Sequence, residues 1–503
     1  MQITTGRHRA AFFLIGETTM LTLRNYQQNA VNEAEKEWLQ GTKRVCLQLP
    51  TGSGKTAIAS EIIGRTLAVG GRVLFIAPYS ILMSQTAAKL VEYGICNADQ
   101  ISYWWGEVKR SDVDFSAPVM IASAQTLARR GLPPDTFYDL VVVDECHLGY
   151  DSVIKVLTGD SYNRALGLSA TPWREGMLTQ WDRLLKPVSM YQLINDGYLV
   201  PYKVYTVQKP DLSHVRTQAG DYHQGDVAEV MAQVQVISLI VSHWLEHGEN
   251  RPTIAFCVDV ANANALANAF GQAGIKAAIV TAETPDEDRQ TIISALRSGE
   301  IQIVCNVGVL VAGLDAPEVS CIIYAAPTKS EMKWVQAAGR GLRTCTGKAD
   351  CLIFDHSTTS IRLGTPALIN YPGLRPHRKK GERAKEREEQ HDVTANDQDA
   401  RHVIALRGAL TQIDDSPEAI MSQWKYFCHW DVYWSHKEQR YIWQRRERKV
   451  GWLWHTLLNV LGYKVNYRQL EAIAPQPPQK FIMSNFINWK KATHELLEAQ
   501  KPA

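Results

Sequence analysis

Between Leu23 and about Asp355, short apolar runs rich in Val, Ile and Leu alternate with stretches whose apolar residues recur at helical spacing. Short runs of this kind, bounded by turn residues, read as buried strands, and their alternation with helices reads as parallel α/β sheets. The pattern predicts strands at 45–49, 73–77, 119–123, 140–143 and 165–168. A second series is predicted at 253–258, 277–280, 301–306, 321–325 and 349–354. Two similar α/β units in tandem result, with a seam between about 186 and 233.

Past residue 372 the composition changes. Seven Lys/Arg fall within 375–387 and seven Asp/Glu within 382–399, which reads as a solvated linker or an exposed charged helix. Seven of the fourteen tryptophans follow it, too many aromatics for a tail. The predicted organisation is a flexible leader at 1–20, a first lobe at 21–200, a second at 201–365, a linker at 366–400 and a small Trp-rich accessory domain at 401–503. In the leader, basic residues precede the five-residue apolar run 11–15, which is short for a signal peptide.

A length of 503 residues with 45% hydrophobic and 21% charged positions is ordinary globular composition. The longest apolar runs fall well short of the roughly 20 residues that span a bilayer, so no membrane crossing is expected. None of the nine cysteines pairs as C-x-x-C, which argues against a zinc knuckle or a disulfide ladder and for a reducing, cytoplasmic setting. Cys428, His429 and His436 lack a fourth ligand and make a poor zinc site. A net charge of +2 is uninformative, so any nucleic-acid contact must rest on local patches.

The sharpest chemistry begins at Thr51-Gly52-Ser53-Gly54-Lys55-Thr56, which closes a predicted strand and opens an apolar-periodic helix. Glycines let the backbone wrap phosphates, and the helix N-terminus favours negative charge. Lys55 supplies a point charge to the β- and γ-phosphates of ATP, and the Thr56 hydroxyl is a ligand for Mg²⁺. Downstream, three valines feed Asp144 and Glu145 at another strand end. Asp144 would hold Mg²⁺ partly through water, and Glu145 would orient and deprotonate the attacking water. The plainer reading, a solvated strand terminus, is disfavoured by the apolar strand behind the two acids.

With Asp144-Glu145-Cys146-His147 as a DECH box, the chain resembles superfamily 2 DEAD/DEAH-type helicases from about 21 to 356. It is most similar to RadD-like helicases and to the motor subunits of type III restriction enzymes. Leu23-Arg24-Asn25-Tyr26-Gln27 resembles the segment whose Gln, here Gln27, reads adenine. Ser169-Ala170-Thr171 resembles the motif that couples hydrolysis to lobe movement. Residues 306–317, with Gly313 and Asp315, resemble the second-lobe motif that touches strand and nucleotide. Residues 336–343 resemble the arginine-finger motif, with Gln336, Arg340 and Arg343 as its polar members. Unlike RadD-like proteins, this sequence has no cysteine-rich zinc module after residue 365, nor is the nuclease of type III motors visible.

The resemblance implies two RecA-like lobes with ATP and Mg²⁺ in the cleft, finished by arginines from the second lobe. It also implies strand contacts at Pro78, Gln85, Gln125 and Thr126 in the first lobe and at Thr281 and Val307 in the second. Such contacts fall mainly on the phosphate backbone. A DNA helicase or translocase is the leading expectation, with an RNA helicase and a nucleotide-gated clamp as alternatives. Arg445, Arg446, Arg448 and Lys449, interleaved with aromatics, form either a nucleic-acid platform or the wet rim of a tryptophan core. A protein partner docked through the Trp-rich segment is a further expectation.

Overall fold

The computed structural model describes residues 21–374, apart from 107, 133–135, 208–209, 211, 213, 310–315 and 370–372, together with strand backbone at 411–413, 430–435 and 440–445. The predicted leader, most of the charged linker and most of the Trp-rich segment, including Cys428, His429 and His436, lie outside the described residues. The chain divides into two compact units, drawn mainly from residues up to 187 and from 188 onward.

The strands of the first unit are β1 (Arg44–Gln48), β2 (Val73–Ala77), β3 (Ile101–Trp104), β4 (Val119–Ser123), β5 (Tyr138–Val143), β6 (Tyr162–Ser169) and β7 (Arg183–Leu185). They form one sheet in the order β3-β4-β2-β5-β6-β1-β7, every neighbouring pair parallel. Helices α1 (Asn25–Leu39), α2 (Lys55–Ala68), α3 (Ser80–Glu92), α4 (Ala124–Arg130), α5 (Asp151–Thr158) and α6 (Met177–Gln180) connect and cover them. Every residue of β2 and β4 is buried, as parallel strands covered on both faces require. α2 turns Ile58, Ile62 and Ile63 inward at helical spacing. On β6, Gly167 lies under Trp181, where an added Cβ would come within 2.6 Å of the indole.

The second unit holds α7 (Met190–Asn195), β8 (Tyr202–Thr206), the hairpin β9 (Thr217–Gln218) and β10 (Asp221–Tyr222), α8 (Gln224–Met231) and α9 (Val234–His247). β11 (Thr253–Cys257), α10 (Val260–Gln272), β12 (Ala277–Val280), α11 (Asp286–Ser298), β13 (Ile303–Asn306) and β14 (Cys321–Ala325) follow. Next come α12 (Glu331–Gly339), β15 (Cys351–Asp355), α13 (Thr359–Leu363) and β16 (Thr411–Ile413). Their sheet runs β12-β13-β11-β14-β15-β8-β16 and is parallel except where β16 pairs antiparallel with β8. The predicted seam is therefore folded, since β8 and its connection lie within it. Trp244 and Phe270 pack edge to face in the core, and the Trp244 Nε1 donates to Thr253 Oγ1 at 2.8 Å. A separate hairpin joins β17 (Trp430–Ser435) to β18 (Arg440–Arg445).

Counted from the first strand of each main sheet, with the small hairpin left out, both run 3-4-2-5-6-1-7. Because the strands are parallel, the loops at their C-terminal ends gather along one edge of each sheet, where ligands of open α/β sheets bind. Among the described residues no single helix is long and apolar enough to cross a membrane.

Candidate functional site

In the first unit, three adjacent strands in the order β5-β6-β1 release the three motifs at the same sheet edge. The phosphate-loop sequence leaves β1, Ser169 ends β6, and Asp144-Glu145 leaves β5. Gly52 and Gly54 have φ of +86° and +79°, a region that L side chains rarely adopt. α2 starts at Lys55, so its first unpaired N–H groups face the loop. A Cβ at Gly54 would collide with the Gln27 amide. The left-handed glycines, the helix terminus, and the hydroxyl and carboxylate of Thr56 and Asp144 suit a nucleotide triphosphate with its divalent ion.

Gln27 is 4% exposed, and its Oε1 accepts from the Arg24 N–H at 2.9 Å. One side of its amide thus caps α1 while the other lies against the phosphate loop, fixing the end of the chain that the resemblance assigns to adenine. Asp144 donates its N–H to the Ile76 carbonyl at 2.9 Å and accepts from the Glu145 N–H, also at 2.9 Å. Glu145 has φ +46°, a conformation that costs a non-glycine residue about 1–3 kcal/mol. Nothing in the sequence signals this strain. Glu145 Oε2 lies 3.3 Å from His147 Nδ1, and the same nitrogen is hydrogen-bonded to Ser169 Oγ at 2.9 Å. Ser169 Oγ in turn accepts from the Thr171 N–H at 3.0 Å. A buried polar chain therefore runs from the candidate base into Ser169-Ala170-Thr171. Cys146 sits 3.6 Å from Cys46, and burial pushes its thiol well above the usual range, so it packs as a neutral side chain.

The first-lobe strand candidates divide. Gln125 is exposed and donates to the carbonyl of buried Pro78 at 2.9 Å, joining the β2 and β4 ends. Gln85 is exposed on α3. Thr126 is buried, its N–H and hydroxyl both bonded to Ser123 Oγ at the start of α4. That arrangement is a helix cap.

In the second unit, Thr281 and Val307 follow the paired residues Val280 and Asn306 and stand side by side at the strand ends. Thr281 opens onto a recess with Glu283, Thr284 and Asp288, an acidic surrounding. Gly313 and Asp315 lie outside the described residues. Gln336 is half-buried on α12, and Arg340 is buried in the 3-10 turn after it, not on an exposed helix face. Arg343 resumes extended backbone and bridges to Leu199, next to the hydrogen bond from the Val200 N–H to the Leu342 carbonyl. Gly341 is required there, because a Cβ would press on Cys351 Sγ and Ile322. Lys348, which carries no sequence signal, donates to the Pro317 and Val319 carbonyls at 2.9 and 2.5 Å. Burial lowers it to about 8, and it braces the chain just past 310–315. Among the described residues no group of three or more His, Cys, Asp or Glu is placed to hold a metal by itself.

Comparison with known proteins agrees with this layout. The family model for the type III restriction enzyme res subunit matches residues 20–174, and that for the helicase conserved C-terminal domain matches 234–345. The chain carries a superfamily 2 helicase motor. This motor is 30% identical over 356 residues to a Saccharomyces cerevisiae protein named as an ATP-dependent helicase, IRC3, covering 66% of this chain and 51% of that one. A subunit of the Escherichia coli type I restriction enzyme EcoAI is 30% identical over 283 residues, covering 49% of this chain and 34% of its own length. The motor thus spans about half or less of these two relatives. A fragment named as an HsdR subunit from Vibrio vulnificus superposes with a TM-score of 0.53 at 23% identity, covering 68% of this chain and 65% of that one. The type ISP restriction-modification enzyme LlaBIII bound to DNA gives 0.50 at 18%, covering 66% and 28%. These structural likenesses concern the fold, which is that of two RecA-like lobes.

Proposed function

We propose that this motor hydrolyses ATP to move along or remodel nucleic acid, with DNA favoured over RNA. The observation that carries the reading is the clustering of three motifs on adjacent strand ends, two of them joined by the His147–Ser169 hydrogen bond. Lys55 and the loop N–H groups hold the phosphates, and Thr56 and Asp144 hold Mg²⁺, which offsets charge on the transferring group. Glu145 orients water for attack, and its contact with His147 passes the state of the γ-phosphate to Ser169-Ala170-Thr171. Arg340 and Arg343 stabilise the charge that grows on the γ-phosphate oxygens; an arginine in this role is worth about 10³–10⁵ in rate. Dependence on those arginines makes hydrolysis answer to the state of the second lobe, a population shift between conformations.

DNA is favoured because the relatives include restriction subunits and a structure bound to DNA. The described cysteines are all free, which suits a reducing compartment such as the cytoplasm. The test is steady-state ATP hydrolysis alone and with single-stranded DNA, duplex DNA or RNA, beside Lys55→Ala. Stimulation by DNA that Lys55→Ala abolishes supports the reading, and stimulation by RNA alone moves it to an RNA motor. Stimulation without strand displacement on forked duplexes favours a translocase or clamp. Hydrolysis indifferent to every nucleic acid sinks the proposal.

A further inference from the structure

β3 ends the first sheet, and its last residue pairs with Ala122 of β4. The next residue, Trp105, therefore leaves the sheet level with the loop that opens α4. Trp105 and Tyr103 are both partly exposed, with ring centroids 5.1 Å apart and planes 30° from parallel. Trp104 points the other way, is fully buried and donates its Nε1 to the Gly131 carbonyl at 2.9 Å. Arg130 lies over the Trp104 ring at 5.2 Å and donates to the Val108 and Gly106 carbonyls, tying the 105–110 loop to the end of α4. Among the described residues other than its chain neighbours, nothing lies within 4 Å of where a Cβ would stand on Gly106.

Lys109, Arg110, Arg129 and Arg130 are exposed on the chain just after β3 and at the end of α4, and none is paired with a carboxylate among the described residues; Arg110 and Arg130 both lie over the Trp104 ring, on the other side of the strand from the aromatic pair. The nearby acids Asp112 and Asp114 accept instead from Ser111 and Ser116. In strand order β2-β4-β3, the sheet edge presents Tyr79, 43% exposed, then Gln125, then Trp105.

We infer that Trp105, backed by Tyr103, is a base-stacking platform for single-stranded nucleic acid, with the exposed Arg129 at the end of α4 serving the phosphates. An exposed aromatic face near an exposed cation suits a strand because each base has a π-face and each link a negative charge. The inference rests on the motor reading and extends its track to the sheet edge, away from the nucleotide.

The test measures binding of a labelled oligothymidylate, with a non-hydrolysable ATP analogue present, by wild type, Trp105→Ala, Trp105→Phe and Arg129→Ala. Trp105→Ala is expected to weaken binding about 10- to 100-fold with an unchanged salt slope, while Trp105→Phe keeps most of the affinity. Arg129→Ala weakens binding and makes the salt slope shallower by about one. Replacing the bases by abasic units costs wild type the same factor, and Trp105→Ala becomes indifferent to the change. Basal hydrolysis without a strand reports folding; if Trp105→Ala loses it, Trp105→Leu keeps the apolar cover and serves the same comparison. Wild-type binding untouched at Trp105, or a variant that still distinguishes bases from abasic units, overturns the platform alone. A wild-type chain that binds no strand overturns the motor reading and the platform together.

Discussion

The two lobes share one strand order, 3-4-2-5-6-1-7, yet use their strand ends differently. In the first lobe the exit of strand one is a glycine loop, and the exit of strand five is a pair of acids held in a strained turn. In the second lobe the exit of strand five, after β14, holds Thr328 and Lys329 and no acid. Its acid lies at the end of β15: Asp355 is fully buried and accepts from the N–H and hydroxyl of both Ser357 and Ser360 at 2.5–2.9 Å. A partly exposed carboxylate under strain is available for chemistry, whereas a saturated buried one fixes a loop. The repeated scaffold thus says little about activity, which resides in what each end presents.

That contrast can be broken by mutation. Glu145→Gln should cut ATP hydrolysis about 10²- to 10⁴-fold while nucleotide binding survives, read by steady-state turnover beside equilibrium binding of a fluorescent ATP analogue. Normal turnover would remove Glu145 from the base position. Asp355→Ala should act on stability instead, because it strands buried N–H and hydroxyl donors, each costing about 1–3 kcal/mol. Denaturant melting should shift markedly for Asp355→Ala and little for Glu145→Gln. Equal shifts would erase the distinction between the two acids.

Gly341→Val should lower stability, read by denaturant melting, by an overpacking cost of about 1–3 kcal/mol, because Cys351 and Ile322 already fill the space. A pH series separates the lobes more finely. Burial, reinforced by His243 3.0 Å away, lowers His356 from 6.5 to about 3. The folded state keeps this ring neutral, so below about pH 6.5 the unfolded chain takes up the proton first. Stability should therefore fall with pH between about 6.5 and 3, by at most about 1.4 kcal/mol per unit from this group. His356→Phe should flatten that slope, and an unchanged slope would show that His356 does not set it. Ser169→Ala should have the smallest effect on basal hydrolysis, within about threefold, while reducing stimulation by a strand; it removes the bond to His147 without touching the acids.

The fold was legible where strands are buried on both faces. The predicted runs at 73–77, 119–123 and 321–325 coincide with the fully buried β2, β4 and β14, and the run at 277–280 also coincides with β12, a half-buried edge strand whose residues are all apolar. The edge strand β3 and the near-edge strand β8 were not, because their faces differ: β3 mixes Ser102 with aromatics, and β8 places exposed Lys203 among tyrosines. The glycine loop and the acid pair were readable because their chemistry needs fixed spacing. The burial of Arg340, the left-handed turn at Glu145 and the brace at Lys348 depend on distant packing, for which a local pattern carries no mark. Thr126 shows the opposite case, a motif residue whose hydroxyl accepts from Ser123, the residue that caps its helix.

The antiparallel strand β16 has a consequence for handling the C-terminal segment. It occupies the outer side of β8, where a sheet would otherwise show a row of open N–H and C=O groups ready to recruit another chain. A chain cut near residue 370 therefore loses more than the Trp-rich segment: it exposes a sticky border on the second lobe, and self-association of such a fragment would be the mark of that border.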